Sequence, residues 1–238
     1  MPRIPTLFLI ACVMTAGAVH AGPNWEAYGL QVAPKDTGAV LEAIETFMAT
    51  EAGQKVPGAY SLMQSTMDGA DPTTHSIIWT TDSVADRATY MQSMERNEDW
   101  NTFVATLSGL TRGFSSYRMA FLKTWGDSGS SDPVWYIHML KLEDGAAYLK
   151  ALDALMTSEL GRTFSGWMVF SRVVAGGVTP SSHLISVGFE TEAEAEDWEA
   201  RLEASAENAA FQKATAGTYE HLGSSILTTL KTWGDLGP

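Results

Sequence analysis

Residues 123–127 read KTWGD, and residues 231–235 read KTWGD again. The two copies lie 108 positions apart, and sliding the chain against itself by that distance aligns much more than five residues, without a gap. Tyr28 meets Tyr136, Asp36 meets Asp144, Leu41 meets Leu149, Met48 meets Met156, and Glu51 with Gly53 meet Glu159 with Gly161. Further on, Gly58 meets Gly166, Gly69 meets Gly177, Pro72 meets Pro180, His75 meets His183 and Phe103 meets Phe211. Identity at about two dozen positions in one ungapped register is the signature of an internal repeat. The expected organisation is therefore one domain over 24–127, a linker over 128–133 and a second copy over 134–235. The stretch GDSGSSDP across the junction is small, polar and turn-prone, as a linker requires.

Each copy can be read twice. Residues 27–33 and 134–141 are short apolar or alternating runs and predict strands. Asp36 and Asp144 follow as expected N-caps, and Val40, Leu41, Ile44, Phe47 and Met48 then keep helical spacing, as do Tyr148, Leu149, Leu152, Leu155 and Met156. Gly53 and Gly161 stand near the helix ends, where a left-handed residue is often needed. Two strands follow in each copy, near 59–67 with 74–81 and near 167–175 with 182–189, joined by Gly- and Pro-containing turns. Ser83 with Asp86, and Thr191 with Glu194, have the spacing of capping boxes that open second helices running to about 108 and 216. Final strands near 114–124 and 222–232 end in KTWGD.

Strand, helix, strand, strand, helix, strand is the ferredoxin-like βαββαβ unit, one antiparallel sheet with two helices on one face. Its bare face must be covered, and two copies can cover each other. The expected fold is thus α+β, two tandem ferredoxin-like domains packed sheet to sheet as a pseudo-dimeric barrel. This order resembles the dimeric α+β barrel superfamily, here as a single-chain fusion, over nearly the whole chain after residue 21. The resemblance rests on topology, without a signature motif.

KTWGD falls where each last strand leaves its sheet. Trp125 and Trp233 could each dock symmetrically on the opposite copy, with Gly permitting the turn and Lys and Asp left wet. Plain inheritance from a duplication and a functional rim site are the alternatives.

At the other end, MPRIPTLFLIACVMTAGAVHA places Arg3 before an apolar run from Leu7 to Val19 and a small-residue exit at Ala21. That predicts a signal peptide over 1–21, cleaved after Ala21, and a periplasmic or secreted chain. The run is too short to span a bilayer. Leu9-Ile10-Ala11-Cys12 also resembles a lipobox, but the apolar run continues past Cys12. With cleavage after Ala21 the only cysteine is lost, and with it disulfides, thiol catalysis and thiolate ligands. The chain has 15 basic and 28 acidic residues, a net charge of −13 that disfavours nucleic acid and anionic membranes as partners.

His75 and His183 are the only histidines that repeat in register, each opening a third strand with an isoleucine two places on. They serve as candidate bases or ligands, or as turn caps that hydrogen-bond a loop. No second metal-binding side chain stands at ligand spacing beside either, so no metal is expected. The second copy carries His138 where the first has Leu30, and Arg172 where it has Gln64. His138 shares its strand face with Tyr136, the counterpart of Tyr28. If that face turns into the barrel, His138, Arg172 and Tyr136 make a polar corner in an apolar pocket, the usual form of a small-molecule site; if it turns outward they are solvated.

The superfamily resemblance brings to mind antibiotic-biosynthesis monooxygenases, haem-degrading oxygenases, chlorite dismutase relatives and small isomerases. The haem-degrading pattern, a Trp and a later His near the second helix with an Asn on the first strand, is broken in both halves. Trp100 lacks the His, His221 lacks the Trp, and neither first strand has the Asn in its apolar run, so no role transfers. No phosphate loop, GxSxG elbow or HExxH is present. The sequence favours a small apolar or aromatic ligand held between the two copies without catalysis and without a cofactor. A cofactor-independent monooxygenase or isomerase, and a fully packed interaction module, are the alternatives.

Overall fold

The computed structural model describes residues 24–67, 72–126, 133–177 and 180–234. The segment 1–21 with Cys12, Gly69, Asp127, Asp235 and the linker up to residue 132 lie outside the described residues. The fold is mixed α+β. Eight strands form one closed barrel, and six α-helices pack outside it among the described residues.

In the first half β1 (Asn24–Val32), α1 (Thr37–Met48), β2 (Ala59–Met67), β3 (His75–Thr81), α2 (Val84–Met94), α3 (Glu98–Leu110) and β4 (Thr111–Gly126) follow one another. The second half has β5 (Val134–Leu142), α4 (Gly145–Met156), β6 (Trp167–Gly176), β7 (His183–Phe189), α5 (Glu192–Glu203), α6 (Ala206–Thr215) and β8 (Tyr219–Gly234). Around the barrel the order is β1-β3-β2-β8-β5-β7-β6-β4, so each half contributes four adjacent strands. Their edges are joined by two antiparallel seams, β2 with β8 and β4 with β6. Closure leaves no free strand edge, the feature that exposes open sheets to unwanted pairing.

The last strand of each half makes this closure. β4 pairs with β1 of its own half through residues 111–120 and with β6 of the other half through 117–126. KTWG is the part that crosses over. Trp125 and Leu122 pack against the helix-covered core of the second half, and Trp233 packs against that of the first. Lys123 Nζ and Trp125 Nε1 both reach Asp153 Oδ1 on α4, at 2.5 and 3.1 Å, which holds the Asp153 carboxyl below its ordinary range. Lys231 makes the equivalent pair with Glu45 on α1. Each lysine also sits 5.5 Å from the ring centre of its tryptophan.

Side chains alternate along the strands between two environments. Leu30, Val32, Leu62, Ile77 and Trp79 face outward and bury with Val40, Ile44, Phe47, Tyr90, Met94 and Phe103 of the helices. Leu140, Met168, Phe170, Ile185 and Val187 do the same in the second half. The intervening positions, among them Trp25, Met63, Met119, Trp135, Trp167 and Leu227, fill the barrel interior as a third core.

Three local expectations are corrected. Asp144 Oδ1 caps α4 by accepting from Ala147 N at 2.9 Å, but Asp36 makes no cap bond and pairs instead with Lys35. The long second helix of each half is broken in two, because Asn97 and Ser205, in the same register, each cap a new helix by accepting from Trp100 N and Asn208 N. Gly53 and Gly161 have ordinary negative φ; they are small because a Cβ would sit 2.1 Å from Phe47 O and 2.3 Å from Leu155 O.

Candidate functional site

The outer face of β1 carries Glu26 and Tyr28 beneath the helices of the first half. Glu26 is only 4% exposed, and a carboxylate so buried has to be paired. Arg87 Nη2, from α2, lies 2.5 Å from Oε2, and Arg118 Nε, its cross-strand neighbour on β4, lies 2.6 Å from Oε1. The Tyr28 hydroxyl donates to Glu26 Oε2 and accepts from Arg87 Nη2 at 3.3 Å. Burial, then the bond to Glu26, push the Tyr28 phenol up. The Arg87 guanidinium in turn lies 5.2 Å from the centre of the Trp79 ring, a cation–π distance.

Tyr28 and Trp79 form part of the wall of a cleft of about 540 Å³ between the sheet and α1–α3. Phe47, Trp100 and Phe103 complete an aromatic wall, with Phe47 stacked on Phe103 at 4.7 Å and edge-on to Trp100 at 5.5 Å. Val104, Leu107 and Ser108 of α3 border the outer side, where Val104 is exposed. The second half has Val134, Ala195 and Ile226 at the positions of Glu26, Arg87 and Arg118, so the charged network belongs to the first half alone.

The corresponding cleft of the second half is about 270 Å³. Tyr136 and His138 line it with Tyr148, Asn208, Tyr219 and His221. The Ser224 hydroxyl bridges His138 Nδ1 at 2.8 Å and His221 Nε2 at 2.9 Å, donating to one imidazole and accepting from the other. Burial, with the neighbouring His221 second, pushes His138 down from 6.5 to about 4. An unfolded chain therefore binds a proton there from about pH 6.5 downward, while the folded chain refuses it until about pH 4. The contribution of neutral His138 is complete above pH 6.5 and is lost as pH falls across that window, by up to about 3 kcal/mol. Urea melts of the wild type and His138→Gln should diverge in pH dependence between those limits, the variant losing less stability on acidification. Parallel curves would contradict the burial of a neutral imidazole.

The other sequence candidates occupy the same outer face. His75 Nδ1 meets Thr74 Oγ1 at 3.0 Å, and His183 Nδ1 meets Ser182 Oγ at 2.9 Å. Those hydroxyls accept from Val32 N and Leu142 N, so each Thr/Ser-His pair latches the ends of two strands. Burial lowers both imidazoles. His183 also stacks on Phe170 at 5.3 Å and faces Arg172 across β6 and β7. Arg172 itself is exposed. Thus His75, His183, His138, Arg172, Tyr28 and Tyr136 all turn toward the helix side, none into the barrel interior, and they divide among separate places. Among the described residues no three His, Cys, Asp or Glu side chains gather in a metal-binding group.

The interior holds a cavity of its own, about 360 Å³, lined by residues from all eight strands. A space between the two halves is where the sequence reading expects its ligand, whereas the Glu26 network was not among its candidates. The available signal for the network was a carboxylate in register with Tyr28 and Leu30 on one face of the first strand.

No family model matches the chain, and no curated protein matches it. Solved structures do. A candidate monooxygenase from Fusobacterium nucleatum superposes with a TM-score of 0.62 at 11% identity, over 92% of this chain and 97% of that one. A candidate monooxygenase from Lactobacillus acidophilus gives 0.58 at 13% identity, over 91% and 97%. An anthrone oxidase-like protein gives 0.54 at 12% identity, over 92% and 94%. The chain has the ferredoxin-like α+β barrel fold. At these identities the barrel is what is shared, and its chemistry has to be read from its own residues. No helix among the described residues is long and apolar enough to cross a membrane.

Proposed function

We propose that this barrel binds a planar aromatic molecule bearing a phenolic or enolic hydroxyl in the cleft of its first half. The observation that carries this reading is an aromatic-walled cleft with the Glu26–Arg87–Arg118 network, joined by Tyr28, at its edge. Two guanidinium groups against one carboxylate leave an excess of positive charge beside it, which favours an acidic hydroxyl over a neutral amine. The flat walls of Trp79, Trp100 and Phe103 suit a ring system.

Calorimetric titration with β-naphthol and with naphthalene tests the assignment. The wild type should prefer β-naphthol, and Tyr28→Phe should weaken β-naphthol by about tenfold while sparing naphthalene. Equal affinities for the two compounds in both proteins would sink it.

The same reading holds the two halves to be products of a tandem duplication that have diverged, the first keeping a charged cleft and the second a histidine cleft. Their ungapped 108-residue register supports this. It also holds the chain to be exported, on the strength of the segment ending at Ala21. A second reading, a cofactor-independent oxygenase or isomerase, is favoured by one feature, the neutral His138 beside Ser224 and His221, which has the geometry of a base. Oxygen uptake with anthrone as probe, lost in His138→Gln, would favour that reading; no uptake favours binding alone.

A further inference from the structure

The cleft of the second half differs from that of the first in chemistry as well as in size. In the 108-residue register His138, Asn208 and His221 stand where the first half has Leu30, Trp100 and Gly113, so three polar side chains border a largely apolar and aromatic space. A β-bulge brings two of them together. Ser224 is the ladder partner of His138 and His221 that of Leu140, with Leu222 left over where the register slips. Residues three apart on a regular strand point to opposite faces; the extra residue turns His221 and Ser224 to the face of His138. The two imidazole rings lie 6.0 Å apart, with the Ser224 hydroxyl bonded to both.

That hydroxyl completes a path for a proton. Ser224 engages His138 through Nδ1, which leaves Nε2, on a ring that lines the cleft, without a hydrogen bond among the described residues. His221 is bonded through Nε2 and its side chain is exposed. When His138 Nε2 takes a proton from a ligand, its Nδ1 proton can pass to Ser224 Oγ while the Ser224 proton passes to His221 Nε2. The positive charge then rests on the exposed ring instead of the half-buried one, where desolvation opposes it. The other titratable side chains of this cleft are Tyr136 on the same strand, Tyr148 of α4, Glu199 of α5 and Tyr219 of β8; β6 and β7 offer it apolar side chains, and α6 the neutral Asn208.

We infer that His138, Ser224 and His221 form a proton relay, which makes the second cleft a site for proton abstraction from a small bicyclic aromatic carbon acid. This rests on the second reading above, in which His138 is a base, and adds that Ser224 and His221 set its strength. His138 is the catalytic residue; Ser224 and His221 are positioning residues that act through it. The flat side chains of Phe189, Trp198 and Phe211 in a cleft of about 270 Å³ suit two fused rings.

The probe is 5-nitrobenzisoxazole, used with the full protein. A base removes its isoxazole ring proton, the C–H electron pair becomes part of the nitrile bond, and the N–O bond breaks to release a coloured phenolate. The wild type should accelerate this opening, with an acid limb whose midpoint lies well above the value of about 4 that burial sets for His138, because a proton already on His221 blocks the relay. Ser224→Ala and His221→Gln should each lower kcat about tenfold at neutral pH, leave KM unchanged and carry the midpoint down toward 4. Ser224→Thr keeps the hydroxyl and should restore both rate and midpoint. Acceleration lost in His138→Gln but unchanged, in rate and midpoint, by Ser224→Ala and His221→Gln overturns the relay and leaves His138 as a base. Acceleration that survives His138→Gln, or none in the wild type, overturns the relay and the reading beneath it.

Discussion

Glu26→Ala is expected to destabilise the protein by about 3–5 kcal/mol, because it strands two guanidinium groups that now share its one carboxylate under the helix layer. Arg87 is the more deeply buried of the two, and it loses the carboxylate while still wedged between Tyr28 and Trp79. The second half shows how the same place is filled without charge, by Val134, Ala195 and Ile226. Combining Glu26→Val with Arg87→Ala and Arg118→Ile should therefore recover most of the loss, since an apolar replacement of a buried ion cluster is often neutral or better. That triple variant should fold and yet fail to prefer β-naphthol to naphthalene. Urea denaturation measures the stabilities; a single Glu26→Ala variant within about 1 kcal/mol of wild type would mean that the network is far more hydrated than its burial implies.

Gly126→Ala should cost at least about 3 kcal/mol, combining strain at a positive φ with a backbone collision. Its φ is +83°, and a Cβ would stand 1.9 Å from Gly166 O across the seam of β4 and β6. Gly234 repeats the situation at the other seam, with φ +79° and 2.2 Å to Gly58 O. The expectation is that either substitution opens the barrel where one half is laced to the other, and that both together prevent folding. Gly38→Ala is the control. Nothing lies within 4 Å of a Cβ there, and a helix gains up to about 1 kcal/mol from the exchange. Thermal melts that rank Gly126→Ala with Gly38→Ala would contradict the seam geometry.

The recurrence of KTWGD was legible because a repeated pentapeptide fixes a register, and the register doubles every hydrophobic pattern in the chain. Strand and helix order followed from alternation and helical spacing. The breaks at Asn97 and Ser205 were hidden inside stretches that keep helical composition, where a single capping side chain decides. Facing was the harder matter. Tyr136 and His138 alternate with Trp135, Ile137 and Met139, which are equally apolar or aromatic, so neither face of β5 announces itself as interior. In a barrel with helices outside, both faces of every strand are buried, and alternation carries no sign. The Glu26 network was out of reach for a different reason: Arg87 and Arg118 lie 61 and 92 positions along the chain from Glu26, and only barrel closure brings them to one carboxylate.

The most direct test of the functional account is an isotope-filtered nuclear Overhauser spectrum of labelled protein with unlabelled β-naphthol. The account predicts contacts from the naphthol ring to Trp79, Trp100 and Phe103 in the cleft of the first half. Contacts confined to Trp135, Trp167 and Met139 of the barrel interior, or no bound-state contacts at saturating naphthol, would contradict it.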